Sequence, residues 1–441
     1  MIVFKQQEVV VMNKAKNNLL WVRLDNAAKI YPAARRKNWS NVFRQSVTLY
    51  EEVDVDILRL ALSVIVRRFP TIASRLRKGI FWYYLQQVET LPEIREEYSY
   101  PLTYMSNQEM RRCAFRVIVY GKRIAVEFFH ALTDGNGALI FLKNLVAEYL
   151  EQKHRISIPL EDGIISRKEE PKQEELEDCF LKYASKYPAS RKDTDAWHMD
   201  GELEADGFLH STCFKLPVKE CLTLAHQYNS TLTVFMSSVM MMALYNLQNE
   251  KNPIVKRQKR IKVLIPINLR NLFPSNTFRN FVMYTIPDID PRLGEYSFEE
   301  IIEVVKHKMG TEFTAKHMSR VIATNVNDEK NPLVRLIPLP IKNAVMKAIF
   351  DSVGEKKSCL SLSNIGKIKL PSIMDQYIER FDFILGVQAA APYNCGMLSY
   401  KDTVYINFIR NIKEAELERY FFKVLQSLGL EVEVESNLSG R

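Results

Sequence analysis

Apolar residues run almost unbroken through 124–129, and the run stops on a histidine, His130. Asp134 and Gly135 stand four and five residues on, Asn136 and Gly137 follow, and residues 138–146 then turn apolar with helical character. This pattern predicts a buried strand, a tight loop holding an ionisable pair, and a helix. Gly135 and Gly137 are expected to supply backbone angles that other residues resist, so that the chain turns sharply beside the imidazole. Residues 43–49 alternate as a strand. Asp54 is placed to cap a helix whose buried side carries Leu58, Leu62, Ile65 and Val66. That helix ends at Arg67-Arg68-Phe69-Pro70, because proline disfavours helix in the residue before it. Residues 80–85 and 115–120 read as strands, with Gly121-Lys122 as the hairpin turn into the strand that delivers His130.

Past residue 150 the pattern changes. Residues 168–175 are charged and nearly free of apolar side chains, which predicts a solvent-facing crossover between about Pro159 and Gly207. The expected organisation is a first half at 1–160 carrying the histidine loop, a linker at 161–206, and a second half at 207–441. The second half opens with a strand at 210–216 and a helix at 218–228. An apolar helix from Thr231 follows, its methionines read as core filler. A strand at 261–270 ends on Arg270, and a helix at 297–314 leads into an irregular stretch. Strands at 359–362, 381–385 and 404–408 come next, with a turn at Ser363-Asn364-Ile365-Gly366, and a helix at 413–428 stops at Gly429. Strands and helices are thus expected in both halves.

Composition narrows this further. A chain of 441 residues exceeds one ordinary core. With 47% hydrophobic and 26% charged residues it is globular rather than disordered. The net charge of +9 is spread along the chain and suits an anionic partner such as a phosphorylated cofactor or an acidic carrier protein. No nucleic-acid-binding motif accompanies it. The apolar stretch 232–247 is shorter than the roughly 20 residues of a membrane span. Polar residues from Lys5 onward argue against a signal peptide. Six scattered cysteines (Cys113, Cys179, Cys213, Cys221, Cys359 and Cys395) show neither CxxC nor metal-ligand spacing. They fit reduced thiols of a cytoplasmic protein without a metal site.

The His130-Ala131-Leu132-Thr133-Asp134-Gly135 motif, HxxxDG, resembles the signature of an acyltransferase superfamily. Its members include chloramphenicol acetyltransferase, condensation domains of peptide synthetases, alcohol acetyltransferases and polyketide-associated acyltransferases. Arg67-Arg68-Phe69-Pro70 and Gly79-Ile80-Phe81-Trp82 look like the opening of the alcohol acetyltransferase branch. Pro266-Ile267-Asn268-Leu269-Arg270 with Asn280 downstream is similar to its P-x-x-x-R…N segment, and Ser361 to Gly366 to its S-N-x-G turn. Asp382-Phe383-Ile384-Leu385-Gly386 only partly resembles the DFGWG motif of plant members, which speaks against a plant-type enzyme. In order, these features cover the chain from about Trp21 to its last helix.

The resemblance implies two chloramphenicol-acetyltransferase-like α/β sandwich halves forming a V, with a tunnel between them and His130 near its middle. It also implies a monomer, acyl-CoA as co-substrate without a tightly bound cofactor, and a small-molecule alcohol or amine acceptor. A histidine suits general-base work because its reference pKa lies near roughly 6.5. His130 is therefore the expected base, with no acyl-enzyme intermediate; the absence of a GxSxG nucleophile elbow agrees. Asp134 and Arg270 are implied as a structural pair, and Gly135 as the turn residue. Asn364 or Ser363, or a backbone N–H near Gly135 or Asn136, are candidate oxyanion donors. Asn280 belongs either to the site or to its loop. Two alternatives remain open: an enzyme that draws on an acyl carrier protein in trans or condenses to an amide, and a non-catalytic acyl-binding protein. The intact HxxxDG argues against the second.

Overall fold

The structure is a computed structural model describing residues 19–36, 41–189, 194–330, 336–350, 355–388 and 391–437. The opening residues read above for a signal peptide lie outside this set. The first half contributes β1 (Trp21–Arg23), β2 (Val42–Leu49), β3 (Ser74–Lys78), β4 (Tyr83–Gln87), β5 (Ile94–Glu96), β6 (Phe115–Tyr120) and β7 (Arg123–Phe129). The second contributes β8 (His210–Pro217), β9 (Ile261–Asn268), β10 (Val282–Thr285), β11 (Asp288–Ile289) and β12 (Leu360–Lys367). After these come β13 (Ile378–Ile384), β14 (Tyr393–Tyr400), β15 (Thr403–Arg410) and β16 (Glu433–Ser436).

A mixed sheet runs β10-β9-β12-β14-β15-β8-β16 with β11 added on β9, and a small sheet runs β1-β4-β3. The remaining sheet has the order β13-β2-β7-β6-β5. Its edge strand β13 comes from late in the chain and pairs antiparallel with β2, Phe383 opposite Gln45. One face of this sheet is apolar. Phe43 and Val47 of β2 and Val126 and Phe128 of β7 pack with Leu62, Ile65, Phe141 and Leu145 of the Val55–Arg68 and Gly135–His154 helices. The helix caps follow from sequence: Asp54 accepts from the Asp56 and Ile57 N–H groups.

The opposite face is charged and buried. Glu127, fully buried, accepts from Arg44 Nε at 2.8 Å, Arg116 Nε at 2.6 Å and the Leu102 N–H at 2.7 Å. Burial acts to raise its pKa, but the two guanidinium groups outweigh it and hold the carboxyl below its ordinary range.

Several elements differ from the sequence reading. The strand expected at 80–85 begins only at Tyr83. Ile80 sits on an exposed turn after β3, which the polar run Ser74-Arg75-Leu76-Arg77-Lys78 concealed. The supposed turn at Ser363 to Gly366 lies inside β12, which continues to Lys367 through an irregular register. Among the described residues, the stretch after residue 314 includes the helices Ala315–Lys330 and Leu339–Ile349. The charged crossover is not all surface. Glu175 is buried and takes a two-pronged ion pair from Arg68, at 2.6 and 2.7 Å. That pair is the purpose of the arginine preceding Phe69-Pro70: it ties the end of the first long helix to the crossover.

Replacing Glu127 with alanine leaves Arg44 and Arg116 buried without their shared partner, and is expected to cost about 3–5 kcal/mol in a urea titration. Because the folded pKa is depressed, the carboxylate's contribution is present above about pH 4.5 and is lost as pH falls through the folded value. Acid unfolding of the wild type is therefore expected to be steeper than that of Glu127→Gln.

Candidate active site

His130 sits one residue past β7, and its N–H donates to the Asn41 carbonyl at 2.8 Å. The Tyr31 ring stacks on the imidazole, centroids 4.5 Å apart and planes 18° apart, and Phe43 tilts against it at 4.9 Å. Burial among these rings pushes the imidazole pKa below its ordinary value, against smaller opposing effects of its own backbone, the Asp134 charge, the Asn280 contact and the Thr133 backbone. The ring therefore favours its neutral form. Its Nδ1 lies 3.1 Å from Asn280 Oδ1, 150 positions along the chain.

Asp134 does not touch the imidazole. Its Oδ1 accepts from the Asn136 and Gly137 N–H groups at 3.1 and 3.0 Å, capping the helix that follows. Its Oδ2 accepts from Arg270 Nη1 at 2.7 Å and from the Phe281 N–H at 2.8 Å. Arg270 in turn donates to the carbonyls of Thr277 and Arg279 and to Asn268 Oδ1. One guanidinium thus gathers the whole 268–281 loop and fastens it to the histidine loop. Thr133 Oγ1 adds a bond to the Phe278 carbonyl at 2.6 Å.

The glycines act differently from the sequence reading. Neither Gly135 nor Gly137 has positive φ; both lie in the first turn of the helix. What they supply is room. A Cβ on Gly137 would fall 2.2 Å from Thr133 Oγ1 and 2.3 Å from the Phe278 carbonyl oxygen. A Cβ on Gly135 would fall 3.0 Å from the Ile365 methyl, so β12 presses directly on the motif. Gln45 Nε2 supports the same turn by donating to the Gly135 carbonyl at 2.7 Å.

Ser363 and Asn364 immediately precede Ile365 on β12. Asn364 Oδ1 accepts from the Gly366 N–H, and its Nδ2 donates to Thr233 Oγ1 at 2.9 Å, leaving one amide hydrogen uncommitted by these bonds. The Asn136 N–H is engaged by the Asp134 cap. Among the other histidines, His198 has its Nε2 3.1 Å from the Ser358 carbonyl, and His210 pairs with Glu204. Sequence reasoning passed over Asp25. It is fully buried, and its Oδ2 accepts from Asn280 Nδ2 at 3.2 Å. A lone aspartate between Leu24 and Asn26 carries no local pattern that would single it out. No group of three or more His, Cys, Asp or Glu side chains suited to a metal ion occurs among the described residues.

The Asp134–Arg270 pair joins segments 136 positions apart, and its arginine is largely buried. Asp134→Ala is expected to lower the unfolding free energy by about 3–5 kcal/mol, read from the denaturant midpoint. Asp134→Asn, which still accepts from the helix N–H groups, is expected to lose less.

No family model matches the chain, and no curated protein matches its sequence. Solved structures do match over nearly the whole length. The TRI3 trichothecene 15-O-acetyltransferase from Fusarium sporotrichioides is 11% identical, with 93% of this chain and 95% of that one covered and a TM-score of 0.59. TRI101 of F. graminearum, complexed with ethyl coenzyme A, is 12% identical over 94% and 99%, with a TM-score of 0.59. Polyketide synthase associated protein 5 from Mycobacterium tuberculosis is 13% identical over 92% and 98%, with a TM-score of 0.58. The chain therefore shares the α/β fold of these three structures.

Proposed function

We propose that the protein is an acyltransferase that moves an acyl group from acyl-CoA to an alcohol acceptor, with His130 as general base. The observation that carries the reading is the placement of His130. A largely neutral imidazole stands at a strand end, with Nδ1 engaged by Asn280 from the second half and the loops of both halves locked by Asp134 and Arg270. The bound ethyl coenzyme A of TRI101 supports the choice of donor.

On this reading the acceptor hydroxyl gives its proton to the second imidazole nitrogen, Nε2, as its oxygen attacks the thioester carbonyl. A tetrahedral oxyanion forms, for which Asn364 or Ser363 on β12 offer donors. Its collapse breaks the C–S bond, and the leaving thiolate takes the proton back from the imidazolium. Ester and free CoA result, and His130 ends neutral. Donor and acceptor meet at the seam between the halves. The cysteines are free thiols, which suits a cytoplasmic protein, and both sides of the site lie on one chain, which suits a monomer.

Two outcomes test this. Thiol release from acetyl- and longer acyl-CoAs, measured over a panel of alcohols and amines, is expected to need both an acceptor and His130. His130→Ala should lower the rate by roughly 10²–10⁴-fold. Release with amines only would point to the amide-forming alternative. No release from any acyl-CoA, followed by transfer from a carrier-bound donor, would point to the carrier-protein alternative. The second outcome concerns pH. Falling pH protonates the imidazole and removes the base, and burial has lowered its pKa. The acid limb of kcat/KM is therefore expected below about pH 6.5, the ordinary histidine value.

A further inference from the structure

Behind His130 runs a buried polar chain that the proposed chemistry has not yet used. Asn280 bridges two groups: its Oδ1 faces His130 Nδ1 at 3.1 Å, and its Nδ2 donates to Asp25 Oδ2 at 3.2 Å. Asn280 and Asp25 are both buried. The other Asp25 oxygen, Oδ1, accepts from the Ala28 N–H at 2.7 Å, so the carboxylate is fixed on both sides.

The two ends of an amide are not equivalent, and neither are the two nitrogens of a neutral imidazole. An ionised carboxylate can only accept, so it must receive the NH2 end of Asn280. The carbonyl end is then turned toward His130. A carbonyl oxygen can only accept, so Nδ1 must carry the hydrogen, and the lone pair is left on Nε2. We infer that Asp25 is a positioning residue, which, by orienting the Asn280 amide, holds His130 in the Nδ1–H tautomer and so makes Nε2 the basic nitrogen. The inference rests on the reading of His130 as base, but its tautomer claim stands apart from any activity.

The charge on Asp25 is what gives the chain its direction. Burial raises its pKa to about 6, the Arg279 guanidinium 3.8 Å from Oδ2 opposes that rise, and Asp178 adds to it. Facing His130 besides Asn280 are the backbone groups of His130 and Thr133, the Asp134 charge and the Tyr31 and Phe43 rings, and the Tyr31 hydroxyl is itself held protonated by burial. Near neutral pH, then, Asp25 is mostly the acceptor that the arrangement requires. Asparagine at position 25 removes that requirement: with its oxygen kept on the Ala28 N–H, its NH2 end faces Asn280 and favours the flipped Asn280 amide.

Nitrogen-15 NMR of histidine-labelled protein at pH 8 reads the tautomer directly, with the His130 signals assigned by their loss in His130→Ala. In the wild type His130 is expected as Nδ1–H with an unprotonated Nε2. An Nε2–H ring in the wild type overturns the inference without any variant being made. In Asp25→Asn the signals are expected to move toward a mixture of tautomers. Where transfer is measured, kcat should fall about 10- to 100-fold with the KM for acyl-CoA little changed. Restoration of the single Nδ1–H tautomer and of kcat by Asp25→Glu would support the role of the carboxylate. A folded Asp25→Asn protein that keeps the wild-type tautomer sinks it, because Asp25 would then merely hold its turn. Failure of the catalytic reading shows differently, as undiminished transfer in His130→Ala.

Discussion

The carboxylate of Asp134 accepts four hydrogen bonds, two from the helix that follows it and two from the loop of the second half. A side chain so occupied has nothing left for the imidazole. It resembles the aspartate of a catalytic triad in composition, but its work is mechanical: it locates the histidine loop against the 268–281 loop. The charge is tolerable inside the protein because Arg270 supplies a counter-charge and two backbone N–H groups at a helix start supply aligned dipoles. Gly137, Thr133 and Gln45 then refine the fit at the scale of single atoms. The clasp works alongside the pairing of β13 with β2, which joins the same two parts of the chain.

Orientation of the imidazole is thereby freed for another group. In the triad arrangement one carboxylate both orients and stabilises the ring. Here an amide stands between ring and carboxylate. An amide holds a tautomer without placing a full negative charge beside the imidazolium, so the ring keeps the lowered pKa that burial gives it. On the proposed reading, such a base is weaker but less readily protonated, which suits a neutral hydroxyl that loses its proton only at the transition state.

How much of this was legible in the sequence depends on whether a residue announces itself locally. His130, Asp134, Gly135 and Gly137 lie within eight residues between a strand pattern and a helix pattern, so this loop, the candidate site, stood out locally. Arg270 followed only because a family resemblance supplied its partner. Asp25 had neither aid: its role exists only where the opening segment meets Asn280, 255 positions away. The strands told a similar story. β7 is an apolar run with a hairpin before it, whereas β14, buried along its length, mixes Asn394, Gly396 and Ser399 with apolar residues and shows no alternation. Glu175 was misread because a charge run looks solvated until one of its members finds an arginine inside.

The strand β13 carries a consequence for how the molecule comes into being. It closes the edge of a sheet whose other strands all lie before residue 130. As the chain leaves the ribosome, β2 therefore waits with an unpaired edge while the greater part of the second half is made. The sheet of the first half is completed only once β13 has been made. The order of synthesis and the order of assembly are thus opposed.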